Sequence, residues 1–411
     1  MAVTLFEKKQ SCSGCGACMN ACGQNAISMK EDEFGFRYPE INAALCIECG
    51  ACKKVCGFQD PPAKEQPQAC YAAVAREDAV LGRSSSGGVF AVLAKEMLAK
   101  GGVVYGVAMP LEADGFSPKH IRIAAEKELQ LLQGSKYVQS DTGITFSQAR
   151  EDLKAGKQVL YSGTPCQIAG LRRYLGKEYD NLLTVEIICH GVPSAKMFRD
   201  FIAVLEEAYG GRITDFAFRS KKKKQTKLVT LQLCKENRVR QLVKGGHELS
   251  YMHYFAKGAT FRDSCYQCPF ATAQRVADLT LGDFWGFHQE YPKERRFVDG
   301  RGISCALANT PRGLQAINRL KEQLTYMNAD PGKIARHNEQ LTKPSACPKV
   351  RETILGCYQQ GGYRAVDDHF RKTCKKEILL HTLTGIIPQG LKRGIKRAKG
   401  RMQARFPEGD V

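Results

Sequence analysis

Two runs near the amino end constrain the whole chain: Cys12-Ser13-Gly14-Cys15-Gly16-Ala17-Cys18-Met19-Asn20-Ala21-Cys22 and Cys46-Ile47-Glu48-Cys49-Gly50-Ala51-Cys52-Lys53-Lys54-Val55-Cys56. Each reads C-x2-C-x2-C-x3-C. Three thiolates at this spacing wrap one face of an iron-sulfur cube, and the fourth, one residue further on, reaches the neighbouring cube. The pattern assigns Cys12, Cys15, Cys18 and Cys56 to one [4Fe-4S] cluster, and Cys46, Cys49, Cys52 and Cys22 to a second. Structural zinc usually takes two CxxC pairs, and two complete four-cysteine runs with Gly and Ala between the ligands fit it poorly. Gly23 and Gly57 stand where the pattern expects proline, which alters a turn and removes no ligand.

At 411 residues the chain is too long for one compact core and should divide into several units. We expect a small α+β dicluster ferredoxin-like domain over 1–60. The run Asp60-Pro61-Pro62-Ala63-Lys64-Glu65-Gln66-Pro67 cannot build a core, so 61–68 reads as a linker. An α/β domain over 69–310 and a mainly helical, basic region over 311–411 follow. The opening MAVTLFEKKQ lacks the apolar core of a secretory leader, and no run of apolar residues approaches a membrane span. The 18 cysteines therefore read as metal ligands or buried thiols of a reducing cytoplasm.

The formal net charge of +19 favours acidic partners: a redox protein or subunit, an anionic membrane face, or nucleic acid. Nucleic acid ranks last, because helix-turn-helix, RNP-like and zinc-finger signals are missing. Lys221 to Lys224 read as a solvated loop. Beyond Pro388, Leu391, Ile395, Ala398 and Met402 fall on one helical stripe among lysines and arginines. That suits a helix lying peripherally on an anionic membrane or against an acidic partner, whereas Gly394 and Gly400 suit a fraying tail.

From Tyr71 onward, apolar strand-like and helix-like segments alternate. YAAVA at 71–75, a helix over 89–98, VVYGVAM at 103–109, QVLYSG at 158–163, a helix to Leu175, LLTVEIIC at 182–189 and a helix over 194–208 predict an α/β layered domain. Two strands in a hairpin or meander over 213–233 break the alternation, so the sheet should be mixed.

A second set of cysteines lies at strand ends. In Thr164-Pro165-Cys166-Gln167 a capping box opens a helix and puts Cys166 in its first turn, where free N–H groups favour a thiolate. Cys189 ends the next strand, at the edge where open α/β sheets bind ligands, and Cys265-Tyr266-Gln267-Cys268 adds a CxxC pair. Cys166, Cys189, Cys265 and Cys268 supply four ligands for a third cluster. Three other readings stand beside it: a four-cysteine zinc site, Cys166 with His190 as nucleophile and base, or inert buried thiols. Cys70, Cys234, Cys305, Cys347, Cys357 and Cys374 show no ligand spacing and read as packing residues.

Arg83-Ser84-Ser85-Ser86-Gly87-Gly88-Val89-Phe90 precedes a helix and lets backbone N–H groups approach a phosphate, although a plain serine cap would look similar. Clusters pass single electrons while organic substrates exchange pairs, and a flavin converts between the two.

Taken in order, the dicluster segment, RSSSGGVF, GSKYVQS at 134–140, SGTPCQIAGLRRYL at 162–175, ICHGVPS at 188–194, CYQCPF at 265–270 and ADLTLGDFWG at 277–286 resemble the coenzyme F420 hydrogenase/dehydrogenase beta-subunit family. The resemblance runs from about residue 5 to about 310. It implies an FAD-containing iron-sulfur oxidoreductase that exchanges electrons between its clusters and a two-electron small molecule such as reduced F420. It also implies that Ser86, Gly87, Gly88, Lys136 and Tyr137 help hold the flavin, with the scattered cysteines binding a cluster beside it. Relatives act on different substrates, so the resemblance does not fix one. A ferredoxin or an acidic partner subunit would dock at the ferredoxin clusters. The competing expectation is an electron-carrier subunit without substrate chemistry; many bacterial relatives with this fused segment accompany surface-polysaccharide genes.

Overall fold

The computed structural model describes residues 4–221, 228–297, 300–375 and 378. The proposed amphipathic stripe beyond Pro388, and Lys222 to Lys224, lie outside the described residues. Among the described residues, no helix is long and apolar enough to cross a membrane.

The two cysteine runs fold alike. Each carries a one-turn helix, Ala17–Asn20 or Ala51–Lys54, entered through a left-handed glycine, Gly16 (φ 77°) or Gly50 (φ 70°). Such backbone is costly for any residue with a β-carbon. Between them, Ile27–Glu31 and Arg37–Ile41 form an antiparallel hairpin.

The main body is built on an eight-stranded mixed sheet. Its order is Leu324–Asn328, Ala69–Ala75, Ser304–Ala308, Leu279–Asp283, Leu182–Ile187, Val159–Gly163, Val103–Ala108, Lys119–Ile123. The four strands from Leu279–Asp283 to Val103–Ala108 run parallel, and the outer pairings are antiparallel. Their near-continuous burial is what apolar runs such as Leu182-Leu183-Thr184-Val185 require when both faces are covered. Helices Val89–Ala99 and Pro165–Leu175 supply the crossovers. Alternation in the sequence thus leads to the observed α/β layering. The last strand, Leu324–Asn328, pairs with Ala69–Ala75. The expected boundary at 310 therefore cuts through the sheet, because one edge of it is filled from further along the chain.

Residues 61–68 are tied to the body rather than left free. Glu65 and Arg275 exchange backbone hydrogen bonds, each 2.8 Å, and the Gln68 N–H donates to the Ala308 carbonyl.

The segment expected as two strands over 213–233 is a separate three-stranded meander, Arg212–Ser220, Leu228–Lys235 and Arg238–Gly245. Its last turn places Glu236 (φ 48°) and Asn237 (φ 62°) in left-handed backbone, the two-residue geometry that matches strand twist. Helix Ala195–Tyr209 packs on it through Phe198 and Phe201 against Phe216 and Phe218, with Tyr251 of the following helix Ser250–Ala256 closing the cluster. The long helix Val350–Thr373, broken at Gly361 and Gly362, joins the same core through Ile354, Tyr358, Tyr363, Val366 and Phe370.

Candidate iron-sulfur and cofactor site

All 18 cysteines carry free thiols. Cys12, Cys15, Cys18 and Cys56 line one hollow, and Cys22, Cys46, Cys49 and Cys52 line a second. These are the two sets that the spacing pairs across the runs. Cys52 borders both hollows, so the two sites are neighbours. Among the described residues, no three of His, Cys, Asp or Glu converge tightly enough to share a single metal ion. The thiols instead surround a volume, which suits a cube that takes one thiolate at each iron.

Burial pushes the Cys15 thiol up to about 12, while the Ala17 N–H stabilises its charged form. Cys12 and Cys18 are also raised by burial, with N–H donors from Gly14 and Met19. Donors of this kind favour thiolate and tune the potential of a bound cluster.

The sheet brings the scattered set together. Adjacent parallel strands Val159–Gly163 and Leu182–Ile187 deliver Cys166 and Cys189 at one edge, and the short turn of helix Asp263–Gln267 delivers Cys265 and Cys268. The four thiols act on one another's charge. Burial pushes Cys265 and Cys268 up to about 12 and Cys189 far above the ordinary value; N–H groups of Gly191, Val192, Phe270 and Ala271 oppose it. At the helix start the Thr164 N–H donates to Gln167 Oε1 at 2.9 Å, one half of the expected capping box. The Thr164 hydroxyl stands 3.1 Å from Cys166 Sγ. Cys166 also acts on Cys15 of the first run, so the strand-end set adjoins the ferredoxin set.

The residues implied for a flavin meet in one region. The Ser135 N–H donates to Ser85 Oγ at 2.6 Å, joining the loop of Ser86 to that of Lys136 and Tyr137. Ser86 Oγ donates to the Ile303 carbonyl, and the Ser86 carbonyl accepts from Lys221 Nζ. Gly87 is engaged on both sides: its N–H donates to Ser304 Oγ at 2.9 Å and its carbonyl accepts from Ala75 at 2.6 Å. A β-carbon there would lie 2.1 Å from the Ala73 oxygen, so this glycine serves the close approach of loop and sheet. Gly88 (φ 84°) starts helix Val89–Ala99. Lys136 Nζ donates to the Leu131 and Gln133 carbonyls, and desolvation pulls its amine down to about 7. Tyr137 stacks on Phe255 at 4.6 Å; Phe255 in turn packs on His190, next to Cys189. His190 lies against the rings of Phe255 and Phe261.

Two residues escaped the sequence reading. Arg219 pairs with Asp283 and lies over the Trp285 ring, beside Tyr137. Arg262, fully buried, reaches Cys12. Both partnerships join distant segments, and no local spacing announces them. Of the six cysteines expected to pack, Cys70 and Cys305 are buried, but Cys347 is exposed.

Residues 11–59 match the 4Fe-4S dicluster domain. Residues 70–144 match the N-terminal part, and 156–332 the C-terminal part, of the coenzyme F420 hydrogenase/dehydrogenase beta subunit. The chain belongs to the coenzyme F420 hydrogenase/dehydrogenase beta-subunit family. It is a family member with a fused 4Fe-4S dicluster domain, and iron-sulfur electron transfer follows from that pairing. No curated protein matches the chain. Among solved structures, a chain of the F420-reducing [NiFe] hydrogenase complex from Methanosarcina barkeri is similar at 14% identity and a TM-score of 0.42, covering 76% of this chain and 93% of that one.

Proposed function

We propose that this family member is an iron-sulfur flavoprotein oxidoreductase that moves electrons between FAD and three [4Fe-4S] clusters. Reduced F420 or a similar two-electron compound stands at the flavin end, and a ferredoxin or acidic redox subunit at the other. The observation that carries this reading is the continuity of the thiol sets. Cys166 of the strand-end four adjoins Cys15 of the first ferredoxin four, and Cys52 borders both ferredoxin hollows.

Bound flavin would exchange electron pairs with a substrate and single electrons with the clusters. The chain's own residues prepare that chemistry. Cys166, Cys189, Cys265 and Cys268 offer four part-buried thiols beside the carboxyl edge of the parallel strands, where α/β sheets place ligands. Ser86 and Gly88 shape the loop, while the Leu131 and Gln133 carbonyls hold the Lys136 amine in place. Tyr137, Phe255 and His190 connect this region to Cys189 through packed rings.

A second reading, an electron-carrier subunit without substrate chemistry, draws on Gly87. Its N–H is committed to Ser304 and is not free for a phosphate. Anaerobically purified protein separates the two. The oxidoreductase reading expects bound FAD that reduced F420 or NAD(P)H bleaches. Protein that holds clusters, lacks flavin and takes electrons from neither donor would establish the carrier instead.

A further inference from the structure

Arg262, Arg275 and Arg351 are all buried, at 0%, 2% and 7% exposure. Two of them have ordinary counter-ions: Arg275 pairs with Glu186, and Arg351 with Asp263. Arg262 has no carboxylate partner among the described residues. Its Nε donates to the Cys12 carbonyl at 2.8 Å and its Nη1 to Gln139 Oε1 at 3.3 Å, while Nη2 stands 3.8 Å from Cys12 Sγ. The guanidinium lies over the Tyr38 ring at 4.0 Å and over that of Phe36 at 5.8 Å from the ring centres. Carbonyls and aromatic faces offset only part of the cost of removing such an ion from water, so a full counter-charge is called for.

The anions that bound clusters would place within its reach are cysteine thiolates. Arg262 favours the charged forms of Cys12, Cys166 and Cys265. Its backbone is built into the strand-end set: its N–H donates to the Val192 carbonyl and its own carbonyl accepts from Cys265, both at 2.9 Å. At the second ferredoxin site the charges acting on Cys52 come from Cys22 and Cys49.

We propose that Arg262 is the shared internal counter-cation of two adjacent clusters, the one held by Cys12, Cys15, Cys18 and Cys56 and the one held by Cys166, Cys189, Cys265 and Cys268. Reduction adds one electron to a cluster. A fixed positive charge in a water-excluded site favours that added negative charge and raises both potentials. The cluster of Cys22, Cys46, Cys49 and Cys52 lies outside this influence. Arg262 is thus a positioning residue that sets where an electron rests between the flavin region and the surface. The half concerning Cys166 and Cys265 rests on the third cluster proposed above; the half concerning Cys12 needs only the dicluster domain.

The test is a dithionite titration of the whole chain, followed by electron paramagnetic resonance, with the outer cluster's signal assigned through Cys49→Ser. In Arg262→Gln the two inner clusters should become harder to reduce, the reduced-to-oxidised ratio falling about tenfold at the wild-type midpoint. The outer cluster should not move, and Arg262→Lys should recover part of the loss. Gln139→Glu keeps the guanidinium but sets a carboxylate against it, and should shift the inner clusters the same way. If Arg262→Gln loses iron, Gln139→Glu decides: a selective inner shift supports the proposal, and unchanged potentials overturn it. Equal shifts of all clusters also overturn it. Wild-type protein with only about eight irons would defeat the third-cluster reading. Arg262 would then be judged on the Cys12 cluster against the outer one.

Discussion

Gly14 and Glu48 hold the same place in the two cysteine runs and the same left-handed backbone, φ 67° and 55°. A β-carbon on Gly14 would stand 2.9 Å from Arg262 Nη1 and from the Arg37 carbonyl oxygen, whereas the second run tolerates a full glutamate. Gly16 and Gly50 repeat the contrast: a β-carbon would meet Thr142 Oγ1 at 2.5 Å in the first and nothing within 4 Å in the second. So do the residues after the fourth cysteines when each is taken with the site its cysteine serves, Gly57 with the first through Cys56 and Gly23 with the second through Cys22. A β-carbon on Gly57 would lie 2.6 Å from the Ala169 backbone, while Gly23 is open.

The repeat fixes ligand geometry in both halves, and the surroundings make them different. The first site is pressed into the body, against helix Pro165–Leu175 and the loop of Gln139 and Thr142. The second faces outward, with Cys49 exposed and Leu45 and Ile47 at 49% and 65% exposure. An inner site pressed against the body and an outer one open to solvent is the arrangement that the proposed relay needs.

The largest test of this contrast is Gly14→Glu, which copies the second run into the first. It should cost about 3 kcal/mol or more, by forcing a β-carbon against the Arg37 carbonyl oxygen and the packed Gln139 amide, and strip iron from the inner site. Denaturant unfolding and iron analysis would show it. Full stability and iron content would mean that the inner cradle is not packed as described.

The body that holds the first run also has its own acid limit. His120 is buried between Ser140 and the Ser162 carbonyl, and burial lowers it to about 4. The unfolded chain takes up this proton near pH 6.5, and the folded chain only near 4, so the unfolded state gains as pH falls between them. The loss should approach about 3 kcal/mol. His120→Gln should flatten the dependence in that window; an unchanged slope would remove His120 as its cause.

Gly57→Ala should then destabilise by about 1–3 kcal/mol through overpacking, with Gly23→Ala near neutral. Equal effects at the two positions would break the asymmetry. Smallest of all, Glu48→Gly should change stability by less than about 1 kcal/mol, since left-handed backbone suits glycine while a flexible residue costs chain entropy. A large loss in thermal unfolding would show that Glu48 has a structural task.

What could be read from the sequence was what is encoded locally. The eight ferredoxin cysteines are legible because ligand spacing is a matter of a few residues, and the central strands because buried parallel strands are continuously apolar. Cys166 and Cys189 are legible because both follow such strands. Arg262 is not, since Cys12 lies 250 residues away. Glu186 and Arg275, which pair 89 residues apart, were equally hidden. Gly87 shows what local pattern omits: its loop reads as a phosphate cradle, and its N–H donates to Ser304, 217 residues on. Local pattern marks a glycine that permits close approach without saying what approaches.

The most direct measurement is iron, acid-labile sulfide and FAD per chain in protein purified without oxygen. The account predicts about twelve irons, matched by sulfide, and one FAD. About eight irons without flavin would contradict it, leaving the two ferredoxin sites and withdrawing Cys166, Cys189, Cys265 and Cys268 as ligands.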